Sequence, residues 1–221
     1  MAPAPAALPL SREAGVAAAQ LAALAYRRGV LRALCCSGMK LRTAALIGMG
    51  TLALYRAAQQ TGVPRGVQPI TRFDLQRYLG RWYEVARIDH GFERGLSNAS
   101  ADYALRPDGR VQVINRGYHP PSGRWREARG VAAPVGDADT AHLKVSFFWP
   151  VHSSYIVFAL DEDYQHALVS GPSHDYLWLL ARAPQLRPTV RARLLAQARA
   201  AGFDTGRLLW VDQRRHLERL G

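Results

Sequence analysis

Gly80-Arg81-Trp82-Tyr83-Glu84 follows a short helical lead-in at residues 74–79 and opens an extended segment that runs to residue 88. Outward from it the chain is strand after strand. Extended, apolar-rich segments are expected at 82–88, 99–105, 110–118, 124–132, 142–148, 155–160, 165–170 and 176–182. Their separators are turn chemistry: Pro107-Asp108-Gly109, His119-Pro120-Pro121-Ser122-Gly123, Pro134-Val135-Gly136-Asp137 and Asp161-Glu162-Asp163. Proline presets φ and glycine supplies positive φ, so these segments close hairpins. Eight short strands in an unbroken meander predict an all-β, eight-stranded antiparallel up-and-down barrel, because closure removes exposed edges. One helix follows, begun by Arg187-Pro188 and ended by Gly202, with Val190, Leu194, Leu195 and Ala198 on one face. It is expected to pack outside the barrel, with a short ninth strand at 208–211 after it.

Alternation divides each barrel strand into an inner and an outer set. On the fifth strand Leu143, Val145 and Phe147 form the more apolar set and are expected inside. On the sixth, Tyr155/Val157/Ala159 and Ile156/Phe158/Leu160 are equally apolar, and on the eighth both sets are again greasy. An eight-stranded barrel either fills with side chains or holds one small ligand, and periodicity does not choose between them.

The chain of 221 residues carries a net charge of +12, but unevenly. Residues 72–213 hold 18 basic and 15 acidic side chains, whereas residues 1–71 hold 8 and 1. The excess is therefore mostly N-terminal. No clustering of arginine with aromatics stands out within the body, which argues against nucleic acid as a partner. Residues 1–38 read as an Ala/Arg-rich extension. Residues 39–60 combine a basic start with a short apolar run, a signal-like or signal-anchor segment expected to associate with membrane. Residues 61–71 read as a linker, 72–213 as the barrel and 214–221 as a basic tail. Cys35 and Cys36 are adjacent and lie outside the barrel, which therefore has no disulfide of its own.

Three motifs in order resemble the signature of the lipocalin family: Gly80-x-Trp82 at the first strand, His174-Asp175-Tyr176 opening the eighth, and Arg182 closing it. The likeness spans about residues 73–213. It extends through Tyr103-Ala104-Leu105, Val113-Ile114-Asn115, the run from Leu143 to Phe148, Ala167-Leu168-Val169 and Tyr176-Leu177-Trp178, which are similar to the bacterial outer-membrane lipocalin and apolipoprotein D-like branch. Antiparallel first and eighth strands bring Trp82 and Arg182 to one end, where the guanidinium can stack on the indole beside Gly80 and close the barrel. The resemblance implies binding, transport or storage of a small hydrophobic ligand, a fatty acid or lysophospholipid, in cell-envelope maintenance. It implies ligand contacts at Tyr103, Val113, Asn115, Val145, Phe147, Tyr155, Val157 and Trp178, with Asn115 positioned to hydrogen-bond a head group. No cysteine follows the apolar segment, so outer-membrane lipidation is not expected, although a bacterial cell-envelope location is.

Catalytic, metal and cofactor sites are not expected. There is no G-x-S-x-G, no H-E-x-x-H and no phosphate loop. Ser173 and His174 are neighbours in a turn, where a nucleophile–base pair seldom forms, and the seven histidines lack ligand spacing. The rival from another class is a structural envelope protein with a side-chain-filled barrel, associating or dimerising through outward Ile114, Phe148 and Phe158.

Overall fold

In a computed structural model, residues 59–91 and 93–217 are described. The expectations for residues 1–58 lie outside them. The described residues fall into two units. The smaller contains Gln59 and residues 148–151, where Gln59 Nε2 donates to the Pro150 carbonyl at 2.8 Å and Phe148 and Trp149 are exposed.

The larger unit holds the eight-stranded antiparallel barrel. Its strands are β1 (Gly80–Ile88), β2 (Ser97–Leu105), β3 (Val111–His119), β4 (Arg124–Pro134), β5 (His142–Phe148), β6 (Val151–Leu160), β7 (His166–Ser170) and β8 (Leu177–Ala181). Each pairs with the next, and β8 returns to β1, which closes the sheet. A one-turn helix, α1 (Leu75–Tyr78), leads into β1. Asp74 starts it by accepting hydrogen bonds from the amides of Gln76 and Arg77. After β8 come α2 (Pro188–Ala200), β9 (Leu208–Trp210) and a last turn, α3 (Arg214–Leu217).

The core has two compartments. Outside the barrel, Val190, Leu194 and Ala198 of α2 bury against Ile156, Leu168, Leu177, Leu179 and Ala181, with Leu195 partly covered. Inside, Trp82, Tyr103, Val113, Leu143, Val157, Val169 and Leu180 form the second cluster. The last strand is thus greasy on both faces because it lies between lumen and helix.

Simple alternation fails at two bulges. In β1 the register against β8 shifts between Glu84 and Ala86, so Glu84 faces Leu180 while Arg87 faces Trp178. The extra residue turns Ala86 and Ile88 outward and Arg87 inward. The bulged Val85 still has its carbonyl occupied, by the Val211 amide at 3.0 Å. In β6 the register shifts between Val157 and Ala159. Tyr155, Val157 and Leu160 consequently pack with the lumen cluster, and Ile156, Phe158 and Ala159 with the helix cluster. Neither of the two alternating sets read from the sequence survives intact. Phe158 also stacks on Phe203 at 5.5 Å, which removes it from any outward association surface.

Candidate functional site

At one end the barrel is sealed. The Arg182 guanidinium lies 4.0 Å from the Trp82 ring centroid. It donates to the carbonyls of Arg81 and Arg77 at 2.8 Å each, and to those of Tyr78 and Tyr164 at 3.2 Å. The Trp82 indole N–H also donates to the Tyr78 carbonyl, at 2.8 Å. Gly80 adopts φ of 90°, and a Cβ there would meet the guanidinium at 3.4 Å.

Above this seal lies a layer of three phenols. The Tyr155 hydroxyl is the hub, 2.7 Å from that of Tyr78 and 2.9 Å from that of Tyr103. Burial pushes the acidity of all three well down, so the layer is neutral and polar only at its hydroxyls. Tyr103, Val113 and Val157 are buried and form the floor. Asn115, Val145, Phe147, Tyr155 and Trp178 are only partly buried and form the rest of the wall. The structure therefore brings all eight sequence-derived positions to one lumen but separates them into floor and wall. Gly130, on β4, makes room for this wall, since a Cβ there would fall 2.8 Å from the Ser146 carbonyl oxygen and 2.9 Å from Phe147. Asn115 Oδ1 is buried and, among the described residues, has no hydrogen-bond partner. An unpaired amide oxygen on an apolar wall is a costly feature that a ligand's donor would relieve.

The open end carries a charged cluster that sequence reasoning missed. Arg87 is 0% exposed. It donates to Glu84 Oε1 at 2.6 Å, to the Glu93 carbonyl at 2.8 Å, to the Leu96 carbonyl at 3.3 Å and to Asp89 at 3.2 Å. The segment 89–96 is thereby tied down, with Leu96 resting where Gly117 has no side chain. Glu93 in turn accepts from the Trp178 indole N–H at 3.0 Å and lies 3.2 Å from His90 Nε2. The polar handle of Trp178 is thus already used by the protein, leaving its ring for a ligand. Burial, reinforced by the neighbouring Glu93 charge and only partly offset by Arg87, pushes Glu84 up to about 8. Alternation alone points Glu84 the same way as Trp82, but nothing in the linear pattern places Arg87 inside.

The turn residues Ser173 and His174 are engaged locally. Ser173 Oγ contacts Asp175, and His174 Nε2 lies 3.1 Å from the Ala201 carbonyl. Among the described residues no three His, Cys, Asp or Glu side chains converge as a metal site.

One expectation needs correction. Arginines and aromatics do cluster in the body: Arg81, Arg116 and Arg126 line an outer pocket with Tyr83 and Trp125. They come from different strands, so the cluster exists only once the sheet is paired.

Residues 73–213 match the family model for the lipocalin-like domain. The chain is 47% identical to the outer membrane lipoprotein Blc of Escherichia coli K12 over 174 residues, which cover 78% of this chain and 98% of that one. It is 37% identical to apolipoprotein D of Bos taurus over 149 residues, 64% of this chain and 77% of the relative. Among solved structures, insecticyanin from the tobacco hornworm Manduca sexta superposes with a TM-score of 0.56 at 18% identity, covering 68% of this chain and 86% of the other.

Proposed function

The chain belongs to the lipocalin family, and from that premise we propose that its barrel carries a single-chain lipid, a fatty acid or lysophospholipid, in the bacterial cell envelope. The observation that carries the reading is the lumen's division. A packed floor of Tyr103, Val113 and Val157 stops the ligand, and a partly open wall of Val145, Phe147, Tyr155 and Trp178 receives its chain. The unpaired Asn115 Oδ1 on that wall supplies an acceptor for a ligand donor such as a hydroxyl, an amine or a protonated carboxyl. An acyl chain buried there gains about 0.8 kcal/mol per methylene, against which ordering of the chain and loss of its membrane environment count. Binding rather than turnover is supported by the use of Ser173 and His174 in turn contacts. The envelope location is supported by the outer-membrane lipoproteins among its relatives. The rival reading, a filled barrel acting through its outer face, loses Phe158 to the interface with α2.

Native mass spectrometry with lipid extraction on the full chain should find co-purified lipid. Titration of a fluorescent fatty acid should then show Phe147→Trp, which fills the wall, weakening uptake at least tenfold, and Asn115→Leu weakening it several-fold. An empty protein that refuses every acyl probe would overturn the proposal.

The Glu84 carboxyl makes stability depend on pH in a defined direction. Its pKa rises on folding from 4.5 to about 8, so between these values the folded state holds a proton that the unfolded chain has released. Stability is fully supported below about pH 4.5 and declines as pH rises towards 8. Calorimetric melting from pH 5 to 8.5 should show this fall, and Glu84→Gln should flatten it. An unchanged slope in that variant would mean that other groups set the dependence.

A further inference from the structure

The floor of the lumen holds a hydrogen-bond donor that the protein does not use. Three elements bring its phenols together: Tyr78 ends α1, Tyr103 lies on β2 opposite Val113, and Tyr155 is on β6. Ring packing wedges them in place. Tyr78 lies 4.7 Å from Trp82, 5.1 Å from Phe73 and 5.7 Å from Tyr103, and Tyr103 stands edge-on to Tyr155 at 5.9 Å. Tyr78 is 1% exposed and Tyr103 7%, so neither ring can swing its hydroxyl out to solvent. Tyr155 is less buried and packs against the same lumen cluster.

Three phenols own three O–H groups. The cluster contains two hydrogen bonds, one between Tyr78 and Tyr155 and one between Tyr103 and Tyr155. Each bond uses one hydrogen whichever partner donates, so one hydrogen is always left over. Among the described residues no other group accepts from the three hydroxyls. A buried donor without an acceptor is costly and is rarely left so in a folded protein. The Arg182 guanidinium beyond Trp82 offers only donors and cannot relieve it. The position of the hub decides where the spare hydrogen is of use. When Tyr78 and Tyr103 both donate to Tyr155, it keeps its own hydrogen, and Tyr155 is the least covered of the three.

We propose that Tyr155 is a specificity-determining residue whose hydroxyl donates to an oxygen at the inner end of the ligand. The inference rests on the lipid reading and narrows it: the favoured ligand is a single chain with an oxygen at the end that reaches the floor. Two sources present that chemistry. A chain that enters tail first needs a hydroxyl or carbonyl at its far terminus, whereas a fatty acid that enters head first supplies its own carboxyl. Tyr78 and Tyr103 are positioning residues, because by donating to Tyr155 they free its hydrogen for the ligand. A plain hydrocarbon end leaves that hydrogen unpaired.

Displacement of a fluorescent fatty acid from the full chain tests this, with palmitate, ω-hydroxypalmitate, its mid-chain isomer and submicellar hexadecyltrimethylammonium, which has no oxygen. For tail-first entry, ω-hydroxypalmitate should bind at least as tightly as palmitate and more tightly than the mid-chain isomer. Tyr155→Phe should then weaken ω-hydroxypalmitate about tenfold more than palmitate. For head-first entry, Tyr155→Phe should instead weaken palmitate about tenfold more than hexadecyltrimethylammonium, and ω-hydroxypalmitate no more than palmitate. Ratios between probes make the readout independent of how much of the variant folds. Tyr78→Phe checks the count: two phenols sharing one bond still leave one hydrogen over, so the parent's preference should survive. Equal weakening of every probe in Tyr155→Phe, or no change in any, would overturn the proposal while leaving the lipid reading intact. Refusal of every probe would overturn both.

Discussion

Arg87→Met is expected to destabilise the protein by about 3–5 kcal/mol, the usual cost of removing one member of a buried charge cluster. That is a large share of the roughly 5–15 kcal/mol by which a domain is stable. The cause is specific. Arg87 is fully buried and serves Glu84, Asp89 and the carbonyls of Glu93 and Leu96 at once. Without it, the buried Glu84 carboxyl loses its guanidinium partner. The segment 89–96 also loses both carbonyl tethers. Denaturant melts should show the loss directly, and limited proteolysis should cut first within 89–96. Adding Glu84→Gln to Arg87→Met replaces the stranded carboxyl with a neutral amide and should recover part of the stability. A single variant that melts within about 1 kcal/mol of the parent would sink the idea of a charge-tied mouth. Ligand uptake should fall with the loop, because the same cluster holds the Trp178 ring in place.

Arg182→Ala should have the next largest effect. Four carbonyls, from the end of α1, from β1 and from the turn before β7, point at one guanidinium that also covers the Trp82 ring. Helix ends leave carbonyls without intrahelical donors, and here a side chain just past β8, which pairs with β1, supplies them. Water replaces part of this in the variant, since the site is only partly buried. A loss of about 3 kcal/mol is expected, which corresponds to about 10 °C in melting temperature for a domain of this size. Arg182→Lys keeps the charge but not the planar fork, so it should recover less than half. A melting temperature for Arg182→Ala within about 2 °C of the parent would show that the seal is ornamental to stability.

Much of this was legible in the chain. The eight strands, the helix after them and the ninth strand follow from turn residues and alternating apolarity, because those signals are local. The inner set of β5 was also legible, since Leu143, Val145 and Phe147 contrast with Lys144 and Ser146. The sixth strand was not, and its bulge explains why: a single extra residue between Val157 and Ala159 reverses the faces halfway along. The expectation that no arginine–aromatic cluster exists failed for a related reason. Arg81 and Arg116 lie on different strands and become neighbours, both against Asp102, through strand register alone.

The sequence by itself determined the barrel, its outer helix and the residue types of the closing seal, because hydrophobic period and turn chemistry act over a few residues. Only the tertiary structure decided what the lumen and the outer face hold. The β1 bulge turned Arg87 from an outward charge into the buried centre of the mouth, and cross-strand pairing built a basic pocket from scattered positions. Both depend on register, a property that strands acquire from their partners.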